Sequence, residues 1–339
     1  MRDSTHALAD KSILLVPTRR RRLLGFLHAL GDRVGNTDFQ KLLFLYCKEV
    51  SSAGHGATTD SPYEFVPHRY GAFSFTCYAD RRRLIERELL VDEDNRWVLT
   101  EFGTCIGREA RNGSMISFSN RYKGLRGDAL IAETYRRYPY YAIRSSIASR
   151  VLQGDNTSLS RISSARPTET QCRLLSIGYE GRSLENYLNV LLHANVSLLC
   201  DVRRNAISRK YGFSKSTLAR ACEGIGIRYR HVPELGIESS QRKGLKTEAD
   251  FAVLFREYER KTLPNKKAVL RKILDWLKSG ETVALTCYER EASQCHRNCV
   301  TDVLFQMLGQ NELFEPDNSR DDQSVQTPPV ELVDTVRHL

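Results

Sequence analysis

Chemistry concentrates in the stretch Thr286 to Cys299, TCYEREASQCHRNC, where the β-prone run TVAL breaks into a loop of charge and sulfur. Beyond it Val300, Val303, Leu304, Met307 and Leu308 recur at helical spacing, so Cys287, Glu289, Glu291, Cys295, His296 and Arg297 fall between the carboxyl end of a strand and the start of a helix. Two chemistries fit. Carboxylates serve acid–base hydrolysis, in which one group stays ionised and another moves a proton. A thiol next to His296 and Arg297, Cys295 first and Cys287 second, has the neighbours that lower its pKa and make it a nucleophile. Zinc is not expected, because Cys287, Cys295, His296 and Cys299 lack paired C-x-x-C or H-x-x-x-H spacing.

The elements that must position this stretch are regular. Strand patterns at 173–178, 196–203, 227–233 and 282–288 alternate with amphipathic helical patterns, which predicts a Rossmann-like parallel sheet with helices on both faces. Ligands of such sheets lie beyond the carboxyl ends of the strands. Each strand here ends in polar groups: Tyr179 and Glu180 after the first, Asp201 and Arg203 after the second, Glu234 after the third, Tyr288 and Glu289 after the fourth. Glu180, Asp201, Glu234 and Glu289 are therefore the catalytic candidates, with Asp201 expected as the ionised partner. Arg203, Arg209 and Arg297 suit phosphates or developing negative charge, and Tyr179 and Tyr288 suit stacking on a base. The set fits hydrolysis of an N-glycosidic bond of a flipped-out, modified or damaged base. A magnesium-dependent nuclease would use the same carboxylates, and a non-catalytic DNA-binding regulator would use the crevice to sense a nucleotide; outside the nuclease alternative no cofactor is expected.

The SIGYEGRS opening, CDVRRNAISRKYGFSK, GIRYRHVPELGI and the C-x-E followed by Cys-His-Arg together resemble the DUF488 family over residues 173–308. The resemblance implies an α/β fold and marks Asp201, Arg203, Ser208, Arg209, Glu234, Cys287, Glu289, Cys295, His296 and Arg297 as site positions, with Ser208, Arg209 and His296 on the substrate side. It implies no particular reaction. The DVR strand end is also similar to rhodanese domains, which carry a persulfide on cysteine, but the C-x-x-G-x-R loop is missing.

Upstream, residues 1–22 form a basic segment ending in Arg19 to Arg22, and residues 23–105 read as two helices, an aromatic-glycine turn, a third helix and a hairpin turning at Asp92 to Asn95. That order is similar to a winged helix, and Tyr70-Gly71-Ala72-Phe73-Ser74 resembles the turn of small Panacea (SocA-like) domains. Arg81, Arg82, Arg83 and Arg87 lie on the third helix, as a DNA-reading helix requires. Residues 106–153 read as a helical connector with Arg121 and Lys123 facing nucleic acid, 154–172 as a polar linker, 173–311 as the α/β domain and 312–339 as a disordered tail. Arg242 and Lys243 belong to a crossover suited to phosphate.

Composition frames the whole. A formal charge of +10 over 339 residues makes nucleic acid, expected as duplex DNA, the natural partner. The nine cysteines include no C-x-x-C, and no export segment is read at the N-terminus, so a reducing cytoplasm is expected. No apolar run approaches the roughly 20 residues of a membrane span.

Overall fold

The computed structural model describes residues 16–53, 62–167, 174–291 and 294–312. The expected tail after 312, the first fifteen residues and most of the loop 54–62 lie outside it. The chain divides into two compact units at Arg166/Pro167. Among the described residues no helix is long and apolar enough to cross a membrane.

The first unit is rich in helix. Helix α1 (Thr18–Ala29), strand β1 (Arg33–Gly35), helix α2 (Asn36–Ala53), the short pair β2 (Val66–His68) and β3 (Gly71–Phe73), helix α3 (Phe75–Ile85), and strands β4 (Leu90–Glu93) and β5 (Arg96–Leu99) follow in order. β1, β5 and β4 make an antiparallel sheet in that order. The β4–β5 hairpin turns on Asp94 and Asn95, both at positive φ, as a tight two-residue hairpin requires. Ser74 caps α3 by accepting from the Cys77 amide, which starts that helix immediately after the aromatic-glycine turn. Phe26, Phe39, Phe44 and Trp97 fill the core, Phe39 stacking on Trp97 at 4.1 Å.

Helices α4 (Glu101–Ala110), α5 (Gly113–Arg121), α6 (Gly127–Arg137), α7 (Ala148–Val151) and α8 (Asn156–Ser164) complete this unit. α8 occupies the stretch read as linker. Its polar Ser/Thr sequence is helical because Asp155 caps it through the Ser158 amide and Leu159 and Ile162 pack on Tyr135 and Ile143. Several expected phosphate-facing arginines are engaged within the fold. Asp80, 2% exposed, accepts from Arg19 at 2.6 Å, Arg20 at 2.8 Å and the Tyr63 hydroxyl at 2.9 Å. Arg81 is buried over the Trp97 ring and pairs with Asp92. Arg121 pairs with Glu49. Arg82, Arg83, Arg87 and Lys123 are exposed, Arg83 beside Glu86.

The second unit is the parallel α/β unit. β6 (Leu174–Gly178), α9 (Leu184–His193), β7 (Leu198–Asp201), α10 (Lys215–Gly224), β8 (Arg228–His231), α11 (Glu248–Glu257), α12 (Lys267–Lys278), β9 (Val283–Cys287) and α13 (His296–Glu312) follow in order. All sheet pairings are parallel and the strand order is β6-β9-β7-β8. Alternation along the strands separates two covered faces: Val283 and Leu285 pack with α12 and α13, while Thr286 accepts the Tyr187 hydroxyl from α9 at 2.8 Å. The last strand in sequence lies between β6 and β7. Cys287 thus ends a fully buried central strand, with Gly178 as its register partner on one side and Asp201 paired with Thr286 on the other.

Candidate active site

The carboxyl ends of β6, β7 and β9 surround a cleft of about 320 Å³ lined by Tyr179, Arg203, Arg242, Cys287, Glu289 and His296, with Ile207 and Tyr288 exposed at its rim. The loop from β9 to α13 makes its floor. It is fixed by Arg297, which is fully buried and donates to Ser176 Oγ at 2.7 Å, to the Glu289 carbonyl at 2.5 Å and to the Arg290 carbonyl at 2.9 Å. Gly178 lies directly under this loop: a β carbon there would sit 1.8 Å from the Glu289 carbonyl oxygen. Arg297 is thus a staple of the loop, with its guanidinium turned to backbone instead of to a ligand.

The sulfur atoms, far less paired in sequence, meet here. His296 Nδ1 lies 3.8 Å from Cys287 Sγ and 3.7 Å from Cys295 Sγ. Its ring is oriented by two contacts that fix the tautomer: Nε2–H donates to the Val202 carbonyl at 3.2 Å, and Nδ1 accepts from Arg242 Nη2 at 3.1 Å. The same Nδ1 faces both thiols, and its single lone pair is taken by Arg242. The Cys295 thiol beside Cys287 pulls the Cys287 pKa down to about 6, against the opposing effect of burial. Burial first, then its donation to Cys287, pushes the Cys295 pKa well up. The two thiols titrate as a pair, and the opposite directions of their shifts make Cys287 the one that gives up its proton more readily. No disulfide joins them.

Glu289 stands beside this pair. Its Oε1 accepts from Arg242 Nη1 at 2.9 Å, and its Oε2 is buried without a hydrogen-bond partner among the described residues. Burial opposes its charge, but the Cys295 thiol and Arg242 hold its pKa below the usual carboxylate range. Cys287, Cys295 and His296 place three donor atoms within 4.8 Å of one another, a set that a thiophilic cation would accept. The spacing argument against zinc thus missed a convergence made by folding. Arg242 nevertheless projects its guanidinium onto the same imidazole nitrogen, so in this arrangement an arginine balances the thiolate and carboxylate charge. Cys299, buried with a raised pKa caused first by burial, lies outside the set.

Asp201 is the largest departure from expectation. It is 0% exposed, and both oxygens are fully used: Oδ1 accepts Arg203 Nε at 2.8 Å and the Arg203 amide at 3.1 Å, Oδ2 accepts Arg203 Nη2 at 2.5 Å and the Tyr229 hydroxyl at 2.6 Å. A carboxylate with four donors has no lone pair to spare for substrate or water. Arg203 also donates to Tyr179 Oη and the Phe213 carbonyl; burial disfavours its charge, but Asp201 outweighs this and raises its pKa. Tyr179 is buried and stacked on Phe213 at 4.3 Å, which leaves its face unavailable to a base. Arg203 and Tyr179 line the cleft, and buried Asp201 and Phe213 hold them in place from behind.

Other expected residues are dispersed. Glu180 turns back to accept the Arg290 amide at 3.1 Å, Glu234 is exposed after edge strand β8, and Ser208 is tied into a turn with Ser214. Arg209 and Lys243 are exposed outside the cleft lining. Tyr288, 46% exposed at the rim, has an accessible ring. Arg242, expected on phosphate, is instead the partner of Glu289 and His296. The sequence carried no signal for it, since it enters from a crossover between β8 and α11.

Fold and site together define a parallel α/β unit with a thiol–imidazole–carboxylate cluster at the end of its central strand. Residues 183–304 of this unit match the family described as Domain of unknown function DUF488. No curated protein and no solved structure matches the chain.

Proposed function

We propose that the C-terminal unit is a cysteine-dependent enzyme in which the Cys287 thiolate attacks an electrophilic carbon or phosphorus of a nucleotide or nucleic-acid substrate in the cleft, forming a bond to sulfur as the bond to the leaving group breaks and the leaving group departs with the electron pair and a proton from Cys295. The observation that carries this reading is the approach of Cys287 to the Cys295 thiol and to the Nδ1 of His296 at the end of β9, in the lining of the cleft. Cys295 is placed to return a proton, His296 orients the pair through Nδ1, and Tyr288 and Arg204 at the rim suit a base and a phosphate.

Iodoacetamide labelling followed residue by residue by mass spectrometry tests the nucleophile. Cys287 is expected to be alkylated with a midpoint near pH 6, while exposed Cys105 serves as the internal control in the same chain. A Cys287 midpoint above pH 8, or no labelling at all under native conditions, would overturn the assignment.

One observation favours a second reading, hydrolysis of an N-glycosidic bond in DNA. Glu289 is the only expected catalytic carboxylate that lines the cleft, and it has an oxygen without a partner. Release of free base that survives chelation of metal, is lost in Glu289→Gln and persists in Cys287→Ser would select it over the thiolate. Magnesium-dependent cleavage has less support, since Asp201, Glu180 and Glu234 do not converge with Glu289.

The N-terminal unit is read as a winged-helix-like module of Panacea type that docks duplex DNA. Its helix, strand, helix, short strand pair, helix and hairpin order, with β1 paired to the hairpin, and the exposed Arg82, Arg83 and Arg87 support this. Affinity for a short duplex should then fall steeply between 50 and 200 mM salt, by about tenfold or more for a few phosphate contacts. A salt-independent affinity, or no affinity, would remove the DNA half of the proposal.

A further inference from the structure

The N-terminal unit holds a second cleft, of about 630 Å³, between the start of α2 and the β2–β3 turn. Two adjacent side chains of α2 reach it from the core, Gln40 and Lys41, each 2% exposed. Both attach to the free edge of β3. Gln40 Oε1 accepts the Ser74 amide at 3.0 Å, and Lys41 Nζ donates to the Ala72 carbonyl at 2.7 Å. The Ala72 carbonyl and Ser74 amide face one edge because residues two apart on a strand point the same way.

Capping that edge uses one acceptor of Gln40 and one hydrogen of Lys41. Gln40 Nε2 remains, buried and without a partner among the described residues. The ammonium of Lys41 has a single carbonyl for company, where a buried charge ordinarily requires an anion. The adjoining wall is aromatic: His68 stacks on Phe73 at 4.7 Å, and Phe73 meets Tyr78 at 4.9 Å. What is missing is an acceptor that can bridge an amide N–H and an ammonium, attached to something flat.

We infer that this cleft binds a small aromatic carboxylate, its carboxylate oxygens received by Gln40 Nε2 and Lys41 Nζ and its ring lying against His68, Phe73 and Tyr78. The charge balance supports the assignment. Burial alone pulls the Lys41 pKa down to about 7. An entering carboxylate restores the ammonium, so binding takes up a proton wherever Lys41 is neutral in the free protein. The other charged or titratable groups facing the cleft are His68, Arg69, Asp38, Tyr70 and Tyr78. His68 is held down to about 4, by burial first and then by Lys41 and Arg69, and Asp38 accepts the Gly127 amide. Burial raises the Tyr78 pKa, so neither it nor His68 accounts for proton uptake between pH 6 and 8.

Titration calorimetry of the full chain with sodium benzoate tests this, in buffers of different ionisation enthalpy. Benzoate should bind about tenfold more tightly at pH 6 than at pH 8, the change expected for a group titrating near 7, with uptake of close to one proton at pH 8. Lys41→Met should abolish both the binding and its pH dependence. Should that variant fail to fold, Gln40→Glu keeps the acceptor for the Ser74 amide while replacing the donor, and should also lose benzoate; proton uptake by the intact protein needs no variant. No benzoate heat at either pH, binding indifferent to pH and to Gln40→Glu, or inorganic phosphate binding as well as benzoate would each overturn the inference.

Discussion

Asp201→Asn is expected to lower the stability of the C-terminal unit by about 3–5 kcal/mol, the usual consequence of breaking a buried ion pair from one side. Asp201 is in contact with donors only, two on each oxygen. An asparagine amide can turn either way, yet its NH2 then faces either the Arg203 Nε and amide or the Arg203 Nη2 and Tyr229 hydroxyl. Donor meets donor in both orientations, and the buried Arg203 charge loses its counterion. Urea unfolding followed by circular dichroism reads the effect, and Arg203→Met added to Asp201→Asn should recover part of the loss because it removes the stranded charge. Unchanged stability with abolished activity is the outcome a catalytic Asp201 would give, and it would refute the structural role assigned here.

The contrast shows where sequence reasoning reached and where it stopped. Periodicity located all four strands of the α/β unit within two residues of their ends, because alternating strand and helix patterns are local properties. Strand order is not local. Insertion of β9 between β6 and β7 brings Cys287 between the ends of two neighbours and leaves Glu234 beyond β8 at the edge, so four carboxylates at four strand ends do not make one site. The Asp-x-Arg spacing at 201 and 203 did contain a readable signal, since residues two apart on an extended chain project to the same side and opposite charges there pair. Spacing argues against a metal set at Cys287, Cys295 and His296, whereas the β9–α13 connection crossing over Gly178 brings their donor atoms together. In the N-terminal unit Arg19 to Arg22 read locally as the end of a basic segment, but buried Asp80, 61 positions from Arg19, pairs with Arg19 and Arg20.

Arg297→Ala is expected to damage that loop more than any substitution in the cleft itself. The side chain is 0% exposed and its three donors reach one hydroxyl and two carbonyls. Removing it orphans Ser176 Oγ and the carbonyls of Glu289 and Arg290 and leaves a cavity; with about 1–3 kcal/mol for each buried group that stays unpaired, a loss of at least about 3 kcal/mol follows. Arg297→Lys separates this role from anion binding. A lysine keeps the charge and would preserve much of an interaction with phosphate, but one ammonium cannot span three acceptors held in a fork, so the stability loss should be largely retained. Iodoacetamide labelling supplies the functional readout. With the loop released, Glu289 and the helix start at Cys295 lose their fixed position relative to Cys287, and the labelling midpoint should rise from near 6 toward that of an ordinary thiol. A full-stability Arg297→Lys variant with an unshifted midpoint would return Arg297 to the substrate side of the cleft, where its sequence neighbours had placed it.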